Sequence, residues 1–136
     1  MEAKINLITI WTDDIKTMRD FYNKVLGFEI QNNLGSYVEF KNSGVRFAIC
    51  QRDVMYNFSG EYKKPKNGQA FELAFPCSDP EDVDRSFLDL VSKGAEPIHA
   101  PADMPWKQRT ALFADPDGNI HEIFAELKNE ISSEDL

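Results

Sequence analysis

The order of local folding signals in this chain runs through once and then repeats, and an internal repeat restricts the fold more than any single motif does. In the first pass, residues 5–11 are short, apolar and β-branched, which predicts a strand. Thr12, Asp13 and Asp14 then supply an N-cap and an acidic first turn. Ile15, Met18, Tyr22, Val25 and Leu26 follow at helical spacing, and Gly27 ends the element, so a helix is predicted over 13–26. Strands are predicted at 28–31, 37–41 and 45–50, the last two joined through Asn42-Ser43-Gly44.

The second pass has the same order. Residues 69–75 predict a strand, and Asp79 caps a helix that starts on Pro80 and runs to 93 before Gly94. Val83, Phe87, Leu90 and Val91 form its apolar stripe. Strands are predicted at 96–99 and 109–114, then at 119–126 after the turn Asp115-Pro116-Asp117-Gly118. Phe21 matches Phe87 and Gly44 matches Gly118, with the offset growing from 66 to 74 as loop insertions would cause. A β-α-β-β-β unit is therefore expected twice in an α+β fold. We place module one at 4–52, a polar linker at 53–67, module two at 68–127 and an acidic tail at 128–136, all within one domain.

Composition removes several functions. Fifteen Lys plus Arg against 23 Asp plus Glu leave a net charge of −8, a poor match for phosphate backbones, so nucleic acid is not expected as a partner. No apolar run approaches the roughly 20 residues of a membrane span, and the start lacks a signal peptide's charged and apolar regions, so no membrane partner is expected. Cys50 and Cys77 have neither metal-ligand spacing nor basic neighbours, and read as packing thiols of a cytoplasmic protein. Nucleophile elbow, phosphate loop and dinucleotide fingerprint are all absent from the sequence.

Three passages carry a resemblance: Phe21-Tyr22-Asn23-Lys24-Val25-Leu26-Gly27-Phe28, Pro105-Trp106-Lys107-Gln108-Arg109, and Asp115-Pro116-Asp117-Gly118-Asn119-Ile120-His121-Glu122. With the doubled module they resemble the vicinal oxygen chelate superfamily of glyoxalase I, bleomycin- and fosfomycin-resistance proteins and extradiol dioxygenases. The resemblance implies curled mixed sheets around a cleft, a small-molecule ligand and a homodimer. In metal-dependent members it implies four inward ligands, usually His or Glu and two from each module, on one divalent cation that acts as a Lewis acid.

Glu122 matches the superfamily's terminal acidic ligand, and Glu72 is the matching position at the start of module two. By the repeat offset their counterparts in module one are Ala48 and Asn6. Ala48 has no ligand atom, Asn6 offers only an amide oxygen, and both histidines, His99 and His121, lie in module two. No metal is therefore expected; if one binds, Glu72 and Glu122 hold it. The two carboxylates can instead pair with Arg46 or Arg109, or meet a cationic ligand. Alternation turns His121 away from Glu122, and His99 is expected to end a strand before Ala100-Pro101. Trp106 is a candidate lid that stacks on a flat ligand. Met55, Tyr56, Phe58 and Tyr62 in the linker could close a cleft or meet a second subunit.

The expected ligand cleft thus contains Asn6, Arg46, Ala48, Glu72, Trp106, Arg109 and Glu122. Two functions compete. One is metal-free binding of a small organic molecule, flat and cationic, as in the bleomycin-resistance branch. The other is a lyase or isomerase resembling glyoxalase I (lactoylglutathione lyase), with a divalent cation and Glu122 as the catalytic base. A thiol transferase of the fosfomycin-resistance type needs the same ligands.

Overall fold

A computed structural model describes residues 1–65 and 68–128. All of the expected acidic tail except Lys128, and Lys66 and Asn67 of the linker, lie outside the described residues. The chain divides into two compact units between Gly68 and Gln69.

The first unit contains β1 (Leu7–Thr12), α1 (Ile15–Asp20), β2 (Ile30–Asn33), β3 (Tyr37–Phe40) and β4 (Arg46–Gln51). Its sheet has the order β1-β4-β3-β2, with β1 parallel to β4 and the other pairs antiparallel. Asp14 caps α1 by accepting from the Thr17 N–H at 3.2 Å. Gln51, at the end of β4, accepts from the Ile15 N–H at 3.0 Å, so the sheet itself caps the helix. The helix predicted over 13–26 is α-helical only to Asp20. Phe21–Val25 is a wider π turn, in which the Leu26 N–H donates to the Phe21 carbonyl, and Gly27 closes it at φ 86°. Phe21 and Tyr22 are both buried, and the rings of Tyr22 and Phe28 stand 5.4 and 5.3 Å from Phe47. With Met18, Val38, Phe40 and Ile49 they make the core of this unit.

The second unit contains β5 (Ala74–Pro76), α2 (Pro80–Ser92), β6 (Glu96–Asp103), β7 (Gln108–Ala114) and β8 (Ile120–Glu126). Its sheet order, β5-β8-β7-β6, reproduces the first, again with one parallel pair, β5 with β8. The doubled β-α-β-β-β order read from the sequence is the fold: two mixed sheets, each with a helix, in the α+β class. Asp79 caps α2 by accepting from Asp82 N–H at 2.7 Å. Val83 and Phe87 are buried with Ala111, Phe113, Ile123 and Ala125.

Two boundaries of the second unit differ markedly from expectation. The strand predicted over 69–75 is reduced to Ala74–Pro76, because side chains replace backbone pairing along its first half. The Gln69 amide accepts from Ile120 N–H and donates to Ile120 O, both at 2.7 Å, and the Leu73 N–H goes to His121 Nδ1 at 3.2 Å. In compensation β6 runs past His99 to Asp103, absorbing Pro97 and Pro101 through two register shifts at the sheet edge.

The turn before β8 depends on one buried carboxylate. Asp115 accepts from the N–H groups of Asp117 and Asn119 and from the Asn119 side-chain amide, at 2.8–3.0 Å. Asp115→Ala leaves these donors without their acceptor and should cost about 2–4 kcal/mol. Thermal unfolding is expected to show a midpoint lower by roughly 5–15 °C.

Candidate functional site

Side chains alternate across a strand, so each sheet turns one face to its helix and leaves the other for chemistry. On β8, His121, Ile123 and Ala125 are buried, while Ile120, Glu122 and Phe124 on the opposite face are partly exposed. Leu112 lies opposite Glu122 on β7, and Ala74 lies opposite it on β5. Glu72 is two residues before Ala74, ahead of β5, and its charge acts on Glu122. Burial pushes the Glu122 carboxyl above its ordinary value, and the negative charge of Glu72 adds to the shift.

Trp106 stands at the β7 end of the second unit, 59% exposed. Its Nε1–H donates to Gln108 Oε1 at 3.1 Å, and Gln108 Nε2–H donates to Glu126 at 2.8 Å. The next residue, Lys107, sits in the left-handed region at φ 63°. Gln108 shares the strand parity of Leu112, the residue opposite Glu122, so the indole is tethered to the Glu122 face.

His121 lies on the helix side of the second sheet, whereas His99 pairs in register with Leu112, the residue opposite Glu122. His121 is buried, its Nδ1 accepts from Leu73, its Nε2 lies 3.6 Å from Asp115, and its ring stands 5.9 Å from Phe113. His99 Nδ1 lies 2.7 Å from Ala100 O. Phe71, ahead of β5, is 61% exposed.

Arg109 requires a correction. It pairs in register with Ala125, on the helix side of the sheet, and donates to Asp84 of α2 and Asp103 of β6, both at 2.9 Å. It is a clip between helix and sheet, and is not on the Glu122 face.

In the first unit, Ala48 is buried on the face away from α1, opposite Thr9 on β1 and Glu39 on β3. Asn6 requires the second correction. Thr9 against Ala48 and Ala74 against Glu122 are matching rungs of the two parallel ladders. The counterpart of Glu72 is therefore Leu7; Asn6 precedes β1 and has the opposite parity. The offset of 66 holds for the helices but is 65 at this strand, and one residue reverses a side chain's face.

Sequence reasoning missed Glu39. Its side chain is 8% exposed and accepts from Arg46 Nε at 2.9 Å, from Arg46 Nη2 at 2.7 Å and from the Tyr37 hydroxyl at 2.7 Å. The signal was present: an acid between Val38 and Phe40 on a strand shares the parity of Tyr37 and faces away from the core. Hydrogen bonds from Arg46 and then Tyr37 hold its carboxyl down to about 2. Arg46, offered by sequence as a partner for Glu72 or Glu122, makes its ion pair with Glu39. At the other end of this face Trp11 meets Tyr62 edge-on at 5.3 Å, and Lys63 Nζ lies 4.9 Å from the centre of the Tyr56 ring. Burial raises the Cys50 thiol, as expected of a packing residue.

Residues 5–128 match the family described as the Glyoxalase-like domain. The chain belongs to this family. It is 35% identical over 127 residues to the uncharacterised protein YraH of Bacillus subtilis (strain 168), covering 89% of this chain and 97% of that one. Among solved structures, a glyoxalase/bleomycin resistance protein/dioxygenase from Nocardioides is similar with a TM-score of 0.82 and 25% identity, over 95% of this chain and 87% of that one. A lactoylglutathione lyase from Agrobacterium tumefaciens has the same fold, with a TM-score of 0.67 at 20% identity, over 91% and 94%. The residues of this glyoxalase-family chain do not fit the divalent-cation centre that the resemblance implied. The counterparts of Glu72 and Glu122 are Leu7 and Ala48, which carry no donor atom. Among the described residues no group of three His, Cys, Asp or Glu side chains is placed to hold a metal ion.

Two pH effects follow with opposite signs. Glu39 titrates lower folded than unfolded, so its stabilisation is complete above about 4.5 and is lost as pH falls towards about 2. Urea unfolding should show the stability of wild type relative to Glu39→Leu/Arg46→Ile falling as pH is lowered across that window. Glu122 titrates higher when folded, so its ionisation opposes folding once pH rises past the ordinary 4.5. Glu122→Gln should therefore raise the thermal midpoint at pH 7, and the difference should vanish in acid.

Proposed function

We propose that this chain is a small-molecule-binding member of the glyoxalase/bleomycin-resistance family that works without a catalytic divalent cation. The donor set carries the reading. Two carboxylates, Glu72 and Glu122, act on each other in the second unit, while Leu7 and Ala48 leave the matching positions of the first sheet without a ligand atom. We read residues 1–136 as one domain of this family.

The ligand is a flat organic cation. Glu122, already raised by burial and by its like-charged neighbour, gains most from a positive group that relieves both effects. Trp106 supplies an exposed ring held by hydrogen bonds, and a net charge of −8 favours cations at longer range. Assembly as a homodimer is supported by the exposed Val54 and Phe58 near the linker's aromatic residues. A cytoplasmic location is supported by two free thiols, Cys50 and Cys77.

Calorimetric titration with N-methylquinolinium, with naphthalene as the uncharged control, tests this reading. Binding of the cation is expected, with Glu122→Gln and Trp106→Ala each weakening it about fivefold or more, a loss of about 1 kcal/mol. Mn²⁺, Ni²⁺, Zn²⁺ and Mg²⁺ should leave the thermal midpoint within about 1 °C. A large stabilisation by one of these ions, lost in Glu122→Gln, would instead make the cation-dependent lyase with Glu122 as base the leading function.

A further inference from the structure

The duplication supplies an internal control for the first sheet. Glu39 lies opposite Ala48 as Leu112 lies opposite Glu122, so Glu39 and Leu112 are equivalent positions. By the same ladders Tyr37 corresponds to Thr110 and Arg46 to Ile120. The second unit therefore builds the same sheet with no charge at any of these three places, and the fold does not require the Tyr37–Glu39–Arg46 group. A largely buried carboxylate is also a weak means of stabilising a sheet, because removing it from water offsets much of the attraction to its partner.

The geometry of the ion pair points elsewhere. Glu39 accepts from Nε and Nη2 of Arg46, which are the lateral edge of the guanidinium. A guanidinium has five N–H bonds in one plane, and this arrangement leaves three, including the parallel pair on the Nη1/Nη2 edge. Glu39 takes both hydrogen bonds donated from the lateral edge of Arg46, the Tyr37 hydroxyl lies beside the same guanidinium, and the Arg46 side chain is 60% exposed. Tyr37 donates at 2.7 Å to Oε1 of Glu39, the same oxygen that accepts from Arg46 Nη2, so the carboxylate that orients the guanidinium is itself held. The neighbouring Ala48 adds no bulk beside it. A pre-oriented fork of this kind needs little further ordering to meet two oxygens of one group.

We propose that the outer edge of Arg46, held in place by Glu39 and Tyr37, is an oxyanion-binding site that takes the carboxylate or phosphonate of a small organic anion on the first sheet. Arg46 is the binding residue; Glu39 and Tyr37 are positioning residues. The site belongs to the first unit alone and does not depend on the cation-binding reading of Glu122.

The test is a titration of ¹⁵N-labelled full-length protein with benzoate and with phenylphosphonate, using benzamide as the neutral control. Saturable shifts confined to the amides around Glu39, Arg46 and Ala48 and to Arg46 Nε are expected with at least one of the two anions, and none with benzamide. Arg46→Gln should weaken binding at least tenfold, and Arg46→Lys should recover only part of it, since an ammonium offers a point charge in place of a fork. Arg46→Gln leaves Glu39 without its partner, so Glu39→Leu/Arg46→Ile, which copies the second unit, serves as the folded variant and should not bind. Arg85→Gln, on the surface of α2, should bind as wild type does. Equal binding by the double variant, equal binding of benzamide, or no saturable shift with either anion would overturn the site. Parallel titration with N-methylquinolinium keeps the two readings apart, since Arg46→Gln should not abolish cation binding.

Discussion

Burial of one sheet face beneath a helix is the constraint on which the rest of this structure depends. Once Met18, Phe21 and Tyr22 are buried with Val38, Phe40, Phe47 and Ile49, strand alternation sends Tyr37, Glu39, Arg46 and Ala48 to the other side. Burial of Val83 and Phe87 with Phe113 and Ile123 does the same for Leu112 and Glu122. No residue of either chemical face chooses its direction independently. A shift of one residue in either ladder would exchange the core with the site.

The two units reach this arrangement with different polar chemistry. In the first, a buried acid is neutralised locally by Arg46 and Tyr37, which hold its proton affinity far below that of a free carboxylate. In the second, an acid at a different rung faces another acid, and burial raises it. A duplicated scaffold thus carries one carboxylate kept ionised and one whose ionisation is resisted. The contrast comes from partners and desolvation, because the strand geometry is the same in both.

Much of the fold was legible because its signals are local. Asp14, Asp79, Gly27 and the Asp115–Gly118 turn act within four or five residues of chain, and each performs the role its residue type suggests. The site was legible in part. Glu122 and His121 fall on opposite faces as alternation required. Asn6 and Arg109 did not take the places expected of them, because the offset between repeats changes by one residue between strand and helix, and because Arg109 finds acids on α2 and β6. The pairing of Glu39 with Arg46 went unread although both residues lie on adjacent strands of one hairpin.

The sequence by itself determined the doubled β-α-β-β-β order, the caps and turns that bound its elements, and the absence of ligand atoms at Ala48. These depend on residue type and on spacing along the chain. Only the tertiary structure decided that Leu7 rather than Asn6 matches Glu72, that Gln69 stands in for a missing stretch of β5, and that Arg46 belongs to Glu39. Each of these is a contact between segments brought together by a ladder, and ladder register is set by how both faces pack at once, which no local pattern contains.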